Sequence, residues 1–229
     1  MIRIRARSTW VRDLPWIHPL GVGAYRTDEG KPYYFPVVRK AEERILADPT
    51  ANKEYLPIDG LPKFRELASK FLLGDDHPAI VEKRVCTVQS LSGTGALRLG
   101  AEFISKIMKG RKVYLPNPTW GNHNAIFTEV GMEIVQYRWY KAETCSLDFE
   151  GLKEDMMNAP EGSIFLLHTC AHNPTGVVYS RKAVTSLCRL LENKSEQYGH
   201  PIWLIADEPY RFLTYDGVEV PSVLPLYQY

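Results

Sequence analysis

The sequence predicts an α/β protein built on a mostly parallel sheet with helices on both faces. Three observations predict it. From Val85 to Phe212, short apolar runs alternate with segments of helical period. The run Ile202, Trp203, Leu204, Ile205, Ala206 is continuous, as a strand buried in a parallel sheet requires. Polar or aromatic residues collect just after the strand ends: Ser92 and Thr94, Trp120 and His123, Asn173, and Asp207 with Tyr210. That is the edge where open α/β sheets bind ligands.

The chain has 229 residues, enough for one large domain or a domain with part of a neighbour. Hydrophobic residues make up 45% and charged residues 24%, an ordinary globular balance. A net charge of +1 leaves no footprint for nucleic acid or an anionic membrane. No apolar run approaches the ~20 residues of a membrane span. Cys86, Cys145, Cys170 and Cys188 are scattered with no CxxC. They read as free thiols in a reducing compartment, not as a disulfide frame or zinc site.

In chain order, residues 1–20 carry Arg3, Arg5, Arg7 and Arg12 before the first acid, Asp13. An organelle-import presequence has that pattern, but Pro15 and Pro19 break its end, and a disordered extension is the expectation. GVGAYRTDEGKPYYFP is a glycine- and proline-punctuated loop, either a surface connector or a place where bare backbone approaches a ligand. Val37, Val38, Ala41, Ile45 and Leu46 after Pro36 space as one helical face. Tyr55 falls in a loop. Phe64, Leu67, Ala68, Phe71 and Leu72 mark a second helix, ended by Gly74.

VCTVQSL reads as a strand and SGTGALRLGAEFISKIMKG as a helix opening on glycine. Its first amides, with the Ser92 and Thr94 hydroxyls, form a phosphate cradle. Neither the third glycine of a dinucleotide fingerprint nor a P-loop lysine follows, which favours one phosphate over a dinucleotide. KVYL is a strand running into PNPTWGNH, where prolines and glycine oppose regular structure. Trp120 there either packs in the core or stacks on a flat ring; His123 is either a surface residue or a partner for a buried carboxylate. A short helix through Phe127 and the strand EIVQYRWY follow. Asp148 is an N-cap for a helix through Leu152 and Met156. SIFLLHT is a buried strand leading into CAHNPTG, strong turn chemistry in which Asn173 either shapes the turn or donates to a ligand oxygen. Ala183, Val184, Leu187, Leu190 and Leu191 mark an amphipathic helix. At the end of the last strand, Asp207 either caps the turn with Tyr210 packed on it, or holds a protonated ring nitrogen.

Taken together, SLSGTGALRLGAEF, PNPTWGNH, HTCAHNPTG and Asp207 with Tyr210 resemble the cofactor site of the fold-type I, pyridoxal-phosphate-dependent class I aminotransferases. With GVGAYRTDEGKPY and NKEYLPIDGLPKF, the resemblance is to the aspartate aminotransferase branch and runs from about Gly21 to the C-terminus. It implies an incomplete large, cofactor-binding domain over residues 48–229 and a segment of the small domain over 21–47. Asp207 is then the partner of the pyridine nitrogen. Tyr210 and Asn173 bond the ring oxygen, Trp120 stacks on the ring, and Ser92, Gly93 and Thr94 hold the phosphate. Tyr55 reaches the phosphate of a neighbouring subunit's cofactor, implying a homodimer. His123 and His168 support Asp207 from behind, and Gly23, Trp120 and Asn173 line the substrate side. The implied reaction is amino transfer between an amino acid, aspartate first, and 2-oxoglutarate, in the cytoplasm or alternatively the mitochondrion.

The pattern also departs from the family. No lysine follows Asp207, and the family's Schiff-base lysine lies beyond this last strand. The expectation is a fragment, inactive alone, or else a non-catalytic homologue that binds cofactor weakly or pairs with a full-length subunit. DEPY differs from the Asp-x-Ala-Tyr of the aspartate branch and resembles other class I aminotransferases. A nicotinamide-binding dehydrogenase rests only on a strand followed by GxG.

Overall fold

The computed structural model describes residues 23–108, 111–198, 202–211 and 213. The expected extension over 1–20 lies outside them. Two compact units divide at Tyr55, the first reaching Tyr55 and the second beginning at Leu56.

In the first unit an antiparallel bridge joins Arg26 to Pro32 around Gly30. The rings of Tyr25, Tyr33 and Phe35 pack on one another, with centroids 4.9 to 5.4 Å apart. Helix α1 (Pro36–Ala47) opens on the proline that suits a first turn. Its apolar stripe has the expected spacing, yet Val37, Val38, Ile45 and Leu46 are all exposed.

The second unit begins with α2 (Pro62–Leu73) and the single turn α3 (Pro78–Val81). Gly74 ends α2 with φ at +97°, and its N–H returns to the Lys70 carbonyl at 2.8 Å. The expected strand VCTVQSL is absent. Its backbone finds a turn instead of a ladder: the Gln89 N–H donates to the Asp59 carbonyl, and Gln89 Oε1 accepts from the Leu61 N–H, both at 2.9 Å. Gly60 lies so close to Gln89 that a Cβ there would sit 2.2 Å from the Gln89 Cβ.

Next come α4 (Ser92–Ile107), β1 (Lys112–Asn117), α5 (Gly121–Glu129) and β2 (Glu133–Arg138). A two-stranded antiparallel ribbon, β3 (Tyr140–Lys141) and β4 (Ser146–Leu147), follows. Then α6 (Phe149–Asn158), β5 (Ile164–His168), α7 (Arg181–Tyr198) and β6 (Trp203–Asp207) complete the chain order. β1, β2, β5 and β6 form one parallel sheet in the order β2-β1-β5-β6. The fold class is the α/β arrangement the sequence predicts.

Alternation along the central strands splits the core in two. Tyr114, Phe165 and Leu167 point to a face covered by Leu152 and Met156 of α6 and by Ala183, Val184, Leu187 and Leu190 of α7. Val113, Leu115, Ile164 and Leu166 point to the other, covered by Ala101 of α4 and Ile126 and Phe127 of α5. Tyr114 and Phe165 stack at 4.5 Å across the strands. Both faces of β5 are fully sealed, as the uninterrupted apolar run requires.

Three boundaries differ from the sequence expectation. PNPTWGNH is not wholly irregular: β1 extends through Asn117, and α5 starts at Gly121. EIVQYRWY breaks at Trp139, whose buried ring turns the chain from β2 into the ribbon. The run 202–206 is not sealed on both faces as β5 is: among the described residues β6 pairs only with β5, and Trp203 is 52% exposed.

Two polar anchors fix α6. Asp148 caps its start, Oδ1 accepting from the Gly151 N–H at 3.1 Å. At its end Lys194, fully buried, donates through Nζ to the carbonyls of Met157 (2.5 Å) and Ala159 (2.8 Å). These are carbonyls that a helix end leaves without intrahelical donors.

Candidate functional site

The sheet register brings the site together. His168 and Asp207 are the last residues of β5 and β6 and lie directly opposite each other. His123, in the first turn of α5, reaches the same point from the end of β1. Asp207 Oδ2 receives His168 Nε2 at 2.5 Å and His123 Nε2 at 3.0 Å. Behind the two imidazoles stand further partners: the Asn173 N–H donates to His168 Nδ1 at 2.9 Å, and the Thr119 hydroxyl meets His123 Nδ1 at 2.7 Å.

These bonds determine the protonation pattern. Burial pushes the Asp207 pKa up, but the hydrogen bonds from His123 and His168 overcome it and hold the carboxyl well below the usual range. An ionised carboxylate only accepts, so both Nε2 atoms carry the protons. His168 has no other choice, because a backbone N–H already occupies its Nδ1. Both bonds fall on Oδ2, and among the described residues no donor reaches Oδ1.

His123, His168 and Asp207 offer ligand atoms within 4.8 Å of one another, a possible metal set. The proton on His168 Nε2 opposes that use. A metal needs the Nε2 lone pair, and the proton has no route to Nδ1 while the Asn173 N–H points there.

The turn after β5 and the turn after β6 meet through side chains. Asn173 Nδ2 donates to the Tyr210 phenol at 3.2 Å. Glu208 Oε1 accepts from the Thr169 hydroxyl, and Oε2 from Arg211, both at 2.7 Å. Trp120 caps α5 and stands edge-on to His123 at 5.3 Å. Ser92, Gly93 and Thr94 lie exposed at the α4 N-terminus, ahead of its first helical bond from the Gly95 N–H to the Leu91 carbonyl. Among the described residues they make no hydrogen bond to the Asp207 cluster. Gly23 and Tyr55 belong to the first unit, and both are exposed.

Thus the structure joins His123, His168, Asp207, Asn173 and Tyr210 in one bonded network, with Trp120 against it. Sequence reasoning missed Thr119, Thr169, Glu208 and His172. Thr119 and Thr169 each follow a strand end within a motif already singled out, the one signal available for them. His172 is buried beside His168, the rings edge-on at 5.0 Å.

A profile of the family described as aminotransferase class I and II matches residues 17–226. The chain belongs to that family. A class I and II aminotransferase from Medicago sativa, named aspartate aminotransferase 1, is 52% identical over 176 residues, covering 77% of this chain and 42% of that protein. Among solved structures, the cytoplasmic aspartate aminotransferase of Saccharomyces cerevisiae superposes with a TM-score of 0.74 at 45% identity, over 76% of this chain and 42% of its own. An aromatic-amino-acid aminotransferase from Burkholderia pseudomallei, described as covalently bound to pyridoxal phosphate, gives a TM-score of 0.71 at 38% identity, over 75% of this chain and 43% of its own. Relatives named cytoplasmic and mitochondrial both match. This family member therefore spans about two fifths of the length of the relatives it matches.

Proposed function

We propose that this chain supplies the ring-holding half of a pyridoxal-phosphate site, in an aminotransferase acting on aspartate and 2-oxoglutarate. The observation that carries the reading is Asp207: a partly buried carboxylate kept ionised, with one oxygen bonded by two histidines and the other without a donor among the described residues. That is the acceptor a protonated pyridine nitrogen requires. Asn173 and Tyr210, already paired, are donors for an anionic ring oxygen, and Trp120 offers a flat face. The first amides of α4, without a partner among the described residues, suit a phosphate together with the Ser92 and Thr94 hydroxyls. The residues present therefore fit the cofactor.

In this reading Asp207 Oδ1 holds the proton on the ring nitrogen, and its depressed pKa keeps that proton on the ring side. His123 and His168 fix the carboxylate and shield it from water. Bound there, pyridoxal phosphate supplies the electron sink for bond cleavage at the amino acid Cα. Trp120 and Asn173 border the substrate, and Tyr55 serves the phosphate of a partner subunit in a homodimer. Residues 21–47 belong to the small domain and 48–229 to the cofactor domain. The free thiols fit a reducing compartment, and the cytoplasm is the proposed location.

The test is a pyridoxal-phosphate titration of the chain, followed by tryptophan fluorescence, with Asp207→Ala alongside. Wild-type binding at micromolar cofactor, weakened at least about tenfold in Asp207→Ala, supports the reading. No binding, or equal binding, removes it. Conversion of aspartate and 2-oxoglutarate to oxaloacetate and glutamate, by a protein containing this chain, tests the reaction. Binding without turnover favours the non-catalytic homologue.

A further inference from the structure

One buried titratable side chain has no part in the reading above. His172 is 1% exposed and lies between Trp139 and the turn that presents Asn173. Its ring stacks on Trp139 with centroids 4.5 Å apart and planes 29° from parallel. Trp139, itself fully buried, meets Tyr179 edge-on at 5.0 Å. The stack is therefore anchored in the core rather than in the loop.

The Thr175 hydroxyl is the polar hub. Its oxygen accepts from the Val177 N–H at 3.3 Å and from Trp139 Nε1–H at 3.4 Å. With both lone pairs engaged, its own O–H donates to His172 Nδ1 at 2.8 Å. The backbone of His172 closes the same turn. Its N–H donates to the Val177 carbonyl at 3.0 Å, and its carbonyl accepts the Gly176 N–H at 2.6 Å. Asn173 sits inside that loop, with its N–H on His168 and its amide on Tyr210.

We propose that His172 is a positioning residue. Through Thr175 and the Trp139 stack, it sets the 172–177 turn so that Asn173 addresses His168 with its N–H and Tyr210 with its side chain. Geometry requires the acceptor form of Nδ1; a proton there would turn acceptor into donor and break the Thr175 bond. Burial, followed by the electrostatic influence of the neighbouring His168 and His123, pushes the His172 pKa down to about 3, against a weaker opposite pull from the Pro118 backbone. The acceptor form therefore persists at neutral pH. Only the last step, from Asn173 to a cofactor oxygen, rests on the proposed function; the steps as far as His168 concern the chain alone.

Three variants separate the contributions. His172→Phe keeps a ring on Trp139 and deletes the acceptor. His172→Asn restores an acceptor near Nδ1 and gives up most of the stack. Thr175→Val removes the donor from the other side. Hydrogen exchange at the Asn173 amide, read by NMR on the 229-residue chain, needs no cofactor. Exchange is expected to accelerate at least about tenfold in His172→Phe and in Thr175→Val, and to stay within about threefold of wild type in His172→Asn. Pyridoxal-phosphate affinity is expected to fall in the same order. Unchanged Asn173 exchange in Thr175→Val overturns the proposal, and does so even where His172→Phe fails to fold. Wild-type protein that ignores pyridoxal phosphate sinks the functional reading instead, while the exchange data still judge His172.

Discussion

The backbone N–H of Asn173 donates to Nδ1 of His168 at 2.9 Å, and that bond decides where the His168 proton resides. Nitrogen-15 NMR of the imidazoles should show His168 as the Nε2–H tautomer at neutral pH. A signal for neutral His168 protonated at Nδ1 would contradict the network and reopen the site to a metal ion.

Asp207 is the acceptor for two buried imidazole donors. Asp207→Ala leaves both without a partner, at roughly 1–3 kcal/mol each. Asp207→Asn keeps one oxygen and should lose less. Urea midpoints of the two variants measure the difference, and equal stability of wild type and Asp207→Ala would mean water replaces the carboxylate without cost.

Acid should act on this protein in two windows. His172 has its folded pKa lowered to about 3 from 6.5, so the unfolded chain binds the extra proton between those values. Its contribution is complete above pH 6.5 and is lost as the pH falls towards 3, with a slope of up to roughly 1.4 kcal/mol per pH unit. Asp207 also has a depressed folded pKa, from 3.8, so its contribution stays intact above that value and disappears only in stronger acid. Melting temperatures from pH 7 to 4 should therefore fall in wild type and flatten in His172→Asn. Parallel curves would place the early loss elsewhere.

Lys194→Met should destabilise the chain by roughly 2–4 kcal/mol, because two carbonyls at the end of α6 lose a buried donor. Thermal melts report the loss, and pyridoxal-phosphate affinity should change little, since this lysine serves the helix end. An unaltered melting temperature would show that water takes over the cap.

Much of the fold was legible because its signals are local. The apolar run of β5, the Asp148 cap and the Gly74 stop each declare themselves in a few residues, and each stands where expected. The segment 85–91 did not, because its pattern suits a strand while its hydrogen bonds go to Asp59 and Leu61. The place of β6 beside β5 was equally hidden, since composition cannot report the strand order. Within the site, His123, Asn173, Asp207 and Tyr210 were visible by their place after strand ends. Thr119, Thr169, Glu208 and His172 were not, because their importance lies in bonds to particular partners, such as Glu208 to Thr169 and His172 to Thr175.

The direct opposition of His168 and Asp207 makes the site a matter of tolerances. Strand spacing of about 4.8 Å sets how far one side chain must reach for the other. A slip of one residue between β5 and β6 would turn one of the pair to the opposite face and dismantle the network without altering any of its members. Substitutions deep in the sheet, such as at Leu166 or Ile205, can therefore detune the carboxylate from a distance, as a warped frame misaligns a lens.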